Sequence, residues 1–313
     1  MKRRKVEGVY LGIALILIST LAFTLMSALI RSLGERIPLG EIVFSRSLFG
    51  LVPLIFMLQW RGELHEAFRL HKPIRHVTRA IAGIGSMFCN FAALSRIPLA
   101  DATAINFVTP LFNVALAAIF LGEKVRRFRW AAVAVGFAGV LLMLLPHMGK
   151  GEWNSVAAYG ALLALSAAFL VSAAMTQVRQ LATTETTASL VFSFTVLSTL
   201  SGLVAMFWGW VVPSGWDAMI LVLTGVFGGI GQITVTESYR HAGAGTVAPF
   251  AYTSMIYSII LGYAFFGEVP ELVVMAGAAI VVLAGLFVLY RERKLHIDRT
   301  REREAETPTS AAL

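Results

Sequence analysis

Arg46 stands six positions into an apolar run that begins near residue 40. A guanidinium at the centre of a membrane helix costs about 2.5–3.5 kcal/mol on insertion scales, so it must face protein, water or a headgroup. Its chemistry suits a substrate carboxylate or a gating partner; snorkelling, or a pair with Glu41, is the structural alternative. Asn90, Asn106 and Asn113 carry amides that both donate and accept, which serves a polar solute and equally a bond between helices. Ser86 and Asn90 are one turn apart, and Asn106, Pro110 and Asn113 share a face. Pro110 removes a backbone donor near midspan, predicting a kink and a carbonyl left for substrate or for a hydroxyl neighbour. In the second half Gln232, Thr236 and Tyr239 recur on one run, with Tyr252 and Tyr257 on the next. The tyrosines can stack on or hydrogen-bond a ligand, or anchor at headgroup level. Glu237 is a candidate coupling group that carries a proton if desolvated, and is merely structural if paired with Arg240. Thr20, Thr24, Ser27 and Arg31, at steps of four, three and four, either line a cavity or permit close packing.

These groups bind; they do not form a catalytic constellation. No Walker motif is present, and histidines 65, 71, 76, 147, 241 and 296 have no paired ligand spacing, so neither cofactor nor metal is expected. Cys89 is alone, which excludes an internal disulfide and favours packing. The net charge of +8 comes from basic residues at helix ends and tails, which topology and anionic headgroups explain better than nucleic acid. The expected partners are a small organic metabolite and membrane lipids, with proton coupling and a homodimer left open.

The elements that must position these residues are membrane helices. Of 313 residues, 57% are apolar and 14% charged, against roughly 25% charged in a soluble domain. Ten apolar stretches follow one another at 9–30, 40–58, 74–94, 100–121, 130–146, 155–177, 188–212, 217–239, 246–266 and 270–290. Backbone groups in lipid must be satisfied within helices or closed barrels, so the fold class is an all-α polytopic membrane protein with ten transmembrane helices. Almost no polar face remains for a soluble bundle. Met1 to Lys5 resembles the basic start of a signal peptide, but the 9–30 stretch is long and no small-residue cleavage pattern follows. Glycines 225, 228, 229 and 231 permit close helix contact near Gln232.

The chain also contains a duplication. Residues 98–145, starting Pro98-Leu-Ala-Asp-Ala-Thr103, reappear in altered form near 243–290, and Phe120-Leu-Gly-Glu123 answers to Phe265-Phe-Gly-Glu268 at an offset of 145. Gly83-Ile-Gly85 matches Gly229-Ile-Gly231 at an offset of 146. Five helices per copy is odd, so the second copy crosses in the opposite sense, the inverted arrangement of secondary transporters. Duplication can also build a stable bundle that transports nothing.

On Asp101-Ala-Thr-Ala-Ile-Asn106, Pro110-Leu, Phe120-Leu-Gly-Glu123, Gly245-Thr-Val and Phe265-Phe-Gly-Glu268, the chain resembles the EamA branch of the drug/metabolite transporter superfamily. The resemblance implies two inverted five-helix repeats, at 9–146 and 155–290. Around them lie a cytoplasmic segment 1–8, a linker 147–154 and a charged cytoplasmic tail 291–313 that frays in solvent. It implies secondary transport of small organic compounds, and Arg46 matches a basic residue often present in the second helix of similar proteins. Met255 stands where the first copy has Pro110, so equal bending of the two copies is not expected. Basic and amide groups favour an amino-acid-like substrate moved by alternating access, ahead of riboflavin-like or S-adenosylmethionine-like solutes. A structural or regulatory bundle and an intramembrane enzyme are the rival readings. The preferred cavity lining is Arg46, Asn90, Asn106, Asn113, Gln232, Tyr252 and Tyr257.

Orientation follows from the charges. With the N-terminus inside a bacterial inner membrane, Lys2 to Lys5, the cluster Arg61 to Arg79, Lys124 to Arg129, and the basic tail all face the cytoplasm. Arg31, Arg36, Arg96 and Lys150 face outward, and both termini are cytoplasmic. A substituted cysteine near Lys150 should react with an impermeant reagent from outside, and ones near Arg127 and Lys294 only after permeabilisation; the opposite pattern reverses the orientation.

Overall fold

The computed structural model describes residues 2–120, 127–148, 156–242 and 244–306. Among them the chain is helical throughout: α1 (Lys2–Leu33), α2 (Leu39–Arg61), α3 (Leu64–Ala67), α4 (Pro73–Leu94), α5 (Leu99–Asn106), α6 (Thr109–Phe120), α7 (Arg127–Leu144), α8 (Val156–Leu181), α9 (Thr187–Val204), α10 (Gly215–His241), α11 (Ala244–Val247), α12 (Thr253–Phe266) and α13 (Leu272–Glu306). Short 3-10 turns follow α7, α9 and α11. Among the described residues, eight segments are long and apolar enough to cross a membrane. Of the ten stretches expected, 130–146 and 270–290 correspond to shorter apolar helices, Trp130–Leu144 and Leu272–Val288. The structure therefore supports a polytopic all-α membrane protein with several spans. Large apolar side chains such as Ile18, Val52, Phe56, Ile81, Leu200 and Ile260 lie exposed on the outside of the bundle, where lipid replaces water as their solvent.

Three boundaries differ from the sequence expectation. The 188–212 stretch stops being α-helical at Val204 and ends in a 3-10 turn, Ala205–Trp208, before Gly209 at φ 141°. The tail expected to fray continues as helix to Glu306, its Arg, Glu and Lys residues being good helix formers. Glu123, Lys150, the linker between 149 and 155, and residues 307–313 lie outside the described residues.

The third difference concerns the helix breaks. The first-copy span breaks between α5 and α6, where Pro110 cannot donate to the Asn106 carbonyl; the Thr109 hydroxyl donates to that oxygen instead, at 2.7 Å. Ser172 of α8 donates to the Thr109 carbonyl at 2.9 Å. The second copy, expected to bend less for lack of this proline, breaks as well. Its 3-10 turn Ala248–Tyr252 runs into α12, with Thr253 and Ser254 hydroxyls donating to Phe250 and Ala251 carbonyls at 2.7 and 2.9 Å. Hydroxyl side chains thus do in lipid what water would do at a soluble helix end.

Helix pairs meet where small residues let backbones approach. α1 runs antiparallel to α10, with Ser19 donating to the Gly231 carbonyl at 2.8 Å and Ser238 to the Gly12 carbonyl at 2.7 Å. α4 runs antiparallel to α8, joined by Ser86 to the Ala167 carbonyl at 2.9 Å and Thr78 to Gln177 at 2.8 Å. α2 lies parallel to α10, Phe49 over Gly225 and Pro53 over Gly229. α7 and α13 pack through Gly139 and Gly277, each facing the other's carbonyl.

One end of the bundle is tied shut. Arg31 pairs with the Glu268 Oε1 atom and donates to the carbonyls of Leu94, at 2.7 Å, and Ile97. Glu268 Oε2 accepts the Leu99 N–H at 2.9 Å, satisfying a donor in the first turn of α5 that no intrahelical carbonyl can reach. The carboxylate after α12 therefore holds α1 and the α4–α5 turn together over a buried floor of Leu33, Leu94, Ile97 and Leu99.

A Cβ on Gly202 would fall 2.5 Å from the Phe44 nitrogen and 2.6 Å from its Cα, with no side chain free to yield. Gly202→Ala should therefore force α2 and α9 apart and destabilise the protein by about 1–3 kcal/mol, read as a lower thermal midpoint in detergent. An unchanged midpoint would contradict this contact.

Candidate functional site

Between α2, α4, α8, α9 and α10 lies a chamber of about 210 Å³. Arg46 reaches it from α2 and Arg79 from α4, while Ser86, Phe194, Thr195 and Gln232 supply hydroxyl, ring and amide. Among the described residues, its lining contains no Asp or Glu. Leu54, Val191, Gln232 and Ile233 also border an outer chamber of about 290 Å³, whose rim carries Arg61, Glu63, Glu66, Thr186 and Arg240. The two spaces share these four wall residues, and the outer one lies toward the end opposite the Arg31–Glu268 closure.

Arg46 does not pair with Glu41. Glu41 is buried in the first turn of α2, five residues before Arg46, and accepts the Val211 N–H at 3.3 Å. Arg46 Nη1 rests 3.6 Å from the Met87 thioether, a weak acceptor, and its Nε is buried with no hydrogen-bond partner among the described residues. Gly228 makes room for the guanidinium, since a Cβ there would sit 3.2 Å from Nε.

Arg79 escaped the sequence reading, which counted it among cytoplasmic loop charges. It lies nearly two turns inside α4, its guanidinium 4.6 Å from the Phe194 ring centroid and its Nη1 donating to the Leu190 carbonyl at 2.9 Å. Its Nε too is buried and unpartnered among the described residues. The available signal was helical spacing, because Arg79, Gly83 and Ser86 fall on one face of a helix that starts at Pro73.

The seven expected lining residues separate into groups. Arg46 and Gln232 share the central chamber. Asn106, Asn113 and Tyr252 line a different cavity of about 570 Å³, with Arg179 and Tyr239. Asn90 accepts the Asn106 amide at 2.8 Å, so these two bond each other across α4 and α5. Tyr252 stacks edge-on with Phe107, ring centroids 5.0 Å apart, where the two helix breaks meet. Tyr257 is half-buried on α12, outside the cavities described. Glu237 pairs with Arg61 at 2.5 Å and with Arg240 at 3.5 Å, tying α10 to the end of α2.

Beside the mouth, Glu185 in the α8–α9 turn accepts the N–H groups of His71 and Lys72, both at 2.8 Å, and faces the His71 and His76 rings at 3.3 and 3.5 Å. His76 is itself buried, 2.7 Å from the Ser193 hydroxyl. This cluster straps the start of α4, and hence Arg79, to α9.

The model of the EamA-like transporter family matches residues 10–145 and again 158–291. The chain belongs to that family. It is a membrane transporter and not an enzyme, moving small organic solutes by secondary transport. It is 29% identical over 276 residues to the pseudopaline exporter CntI of Pseudomonas aeruginosa (strain UCBPP-PA14), covering 87% of this chain and 94% of that one. The S-adenosylmethionine uptake transporter of Rickettsia prowazekii (strain Madrid E) is 27% identical over 283 residues, covering 90% and 94%. The riboflavin transporter of Rhizobium johnstonii is 28% identical over 285 residues, covering 90% and 92%. A solved crystal structure with 23% identity superposes at a TM-score of 0.63 over 90% of this chain and 98% of its own, which shows a shared fold.

Burial raises the Glu185 carboxyl, but the Lys72 N–H, the His71 ring and N–H, and the charge of His76 together outweigh it and leave the group below the ordinary carboxylate value of 4.5. A depressed pKa means that the strap's stabilisation is present above pH 4.5 and is lost as pH falls through the lower folded value. Hydrogen exchange at His71 and Lys72, corrected for intrinsic rates, should stay slow at neutral pH and accelerate only in acid. Glu185→Gln should show the fast exchange already at pH 7; slow exchange in that variant would remove Glu185 from the strap.

Proposed function

We propose that the chain carries a small, carboxylate-bearing, amino-acid-like metabolite across a bacterial inner membrane by alternating access, with the Arg46 chamber as its binding site. The observation that carries this reading is a permanently charged guanidinium set against the Met87 thioether and Gly228, with no carboxylate among the described residues of the lining. In a low-dielectric site such a cation favours an incoming anion strongly, and Gln232, Ser86 and Thr195 add neutral hydrogen bonds for the rest of the molecule.

Two inverted five-helix halves supply the motion. The family unit occurs twice, and the antiparallel α1–α10 and α4–α8 pairs, with α2 parallel to α10, support opposite senses for the two copies. Gly83 and Ser86 of the first half and their counterparts at an offset of 146, Gly229 and Gln232, all border the same chamber. Phe107 and Tyr252, equivalent at an offset of 145, meet at the paired helix breaks. Both termini are read as cytoplasmic, so the chamber opens inward while Arg31 and Glu268 close the outer face. The cavity bearing Asn106, Asn113 and Tyr252 lies beside this route, with Asn90 positioning Asn106. Glu237, engaged by Arg61 and Arg240, acts as a tie between α2 and α10 at the mouth, and exchange without proton coupling needs nothing further from it. The related transporters are named for export in one case and uptake in another, so the scaffold serves either direction.

Sealed liposomes carrying the purified protein and challenged with a labelled metabolite panel test this. Arg46→Gln should lower transport of carboxylate-bearing members by roughly 10–100-fold, the worth of one charge-assisted hydrogen bond in a desolvated site. Arg46→Lys should restore part of it, since it returns the charge without the planar fork. Equal transport by folded wild-type and Gln proteins would remove Arg46 from the site.

A further inference from the structure

The geometry points to a substrate with two anionic groups, one held by Arg46 and the other by Arg79. This rests on the reading of the Arg46 chamber as the transport site and narrows it to a class, the small extended dicarboxylates. Two guanidiniums line one chamber whose lining offers no carboxylate to either. Each has a buried Nε without a partner among the described residues. Arg61 and Arg240, at the outer chamber, differ in this respect, since both are within ion-pair distance of Glu237. Glu63 and Glu66 stand on the rim of the outer chamber.

The two cations meet α4 at different levels. Arg46 touches Met87, while Arg79, eight residues earlier on the same helix, reaches the Phe194 ring, which lies against Gly83. A chain with a carboxylate at each end can give one to each guanidinium at normal hydrogen-bond length, and a series of diacids of five to seven carbons reads out the separation. Between the cations the wall is formed by Gly83, Met87 and the Phe194 ring, an apolar strip suited to a methylene chain. Arg79 presents the face of its guanidinium to Phe194 and one nitrogen to the Leu190 carbonyl, which fixes its plane before a ligand arrives. A substrate ammonium group is accommodated best away from both cations, toward Gln232 and the Thr195 hydroxyl.

The test uses the full-length protein in detergent, titrated with glutarate, adipate, pimelate, and the monoamide of adipate, with the rise in thermal unfolding midpoint as readout. Adipate should half-saturate at least about tenfold below its monoamide, which has the same length and one charge fewer. Arg79→Gln should weaken adipate far more than the monoamide and so abolish the preference between them, Arg79→Lys should keep part of the preference, and Arg46→Gln should weaken both ligands. Equal binding of adipate and monoamide to the wild type overturns the inference with no variant needed, as does a full diacid preference in folded Arg79→Gln. Liposomes that move a monocarboxylate through an Arg46-dependent route, with no diacid preference, would overturn the two-point site and leave the transport reading standing. No stabilisation by any carboxylate, together with transport indifferent to Arg46→Gln, would overturn both.

Discussion

A backbone surrounded by lipid has to hydrogen-bond to itself, and every irregularity in this molecule is arranged around that demand. Long helices meet it outright. Where the chain breaks, at Asn106–Thr109 and Phe250–Ser254, threonine and serine hydroxyls take up the carbonyls that the helix abandons. Ser19, Ser86, Ser172 and Ser238 spend their hydroxyls on carbonyls of neighbouring helices, so polar side chains inside the bundle are mostly committed to structure. Against that background an uncommitted polar group is conspicuous, and the two guanidiniums of the central chamber stand out for their chemistry as well as their position.

The two ends of the bundle handle charge differently. At the closed end Arg31 and Glu268 bind each other as well as backbone groups from a third segment, so charge there cements helices together. At the mouth, Glu237 with Arg61 and Glu185 with His71 and Lys72 hold the walls of the opening and leave its centre clear. Between them the chamber carries positive charge only. The same residue types therefore fasten at the ends and attract in the middle, and what separates the roles is whether a carboxylate is within reach.

Much of the fold was readable because helical membrane spans are written in composition: runs of apolar residues located most elements within a few residues. What misled was punctuation. The 3-10 turn that follows α9 ends at Gly209 with a positive φ, and the second helix break carries Pro249 six residues before the position equivalent to Pro110, with hydroxyls taking up its carbonyls, neither of which periodicity reveals. At the site, Arg46 and Gln232 were legible as polar groups inside apolar runs. Arg79 was not, since it follows Lys72 and Arg75 and reads as part of a loop cluster until the start of α4 is fixed at Pro73. Asn90 and Asn106 satisfy each other, a long-range pairing that no spacing along one helix encodes.

The carboxylate of Glu268 serves two unrelated neighbours at once, Arg31 through one oxygen and the Leu99 N–H through the other. A single rigid group with two obligations cannot release them in sequence at small cost. Any displacement that draws it off the arginine also uncovers the start of α5, and any slippage of α5 loosens the arginine. The seal accordingly has a threshold: it resists small excursions with nearly its full strength and then fails as a unit. An opening at this end therefore has to give up both contacts together.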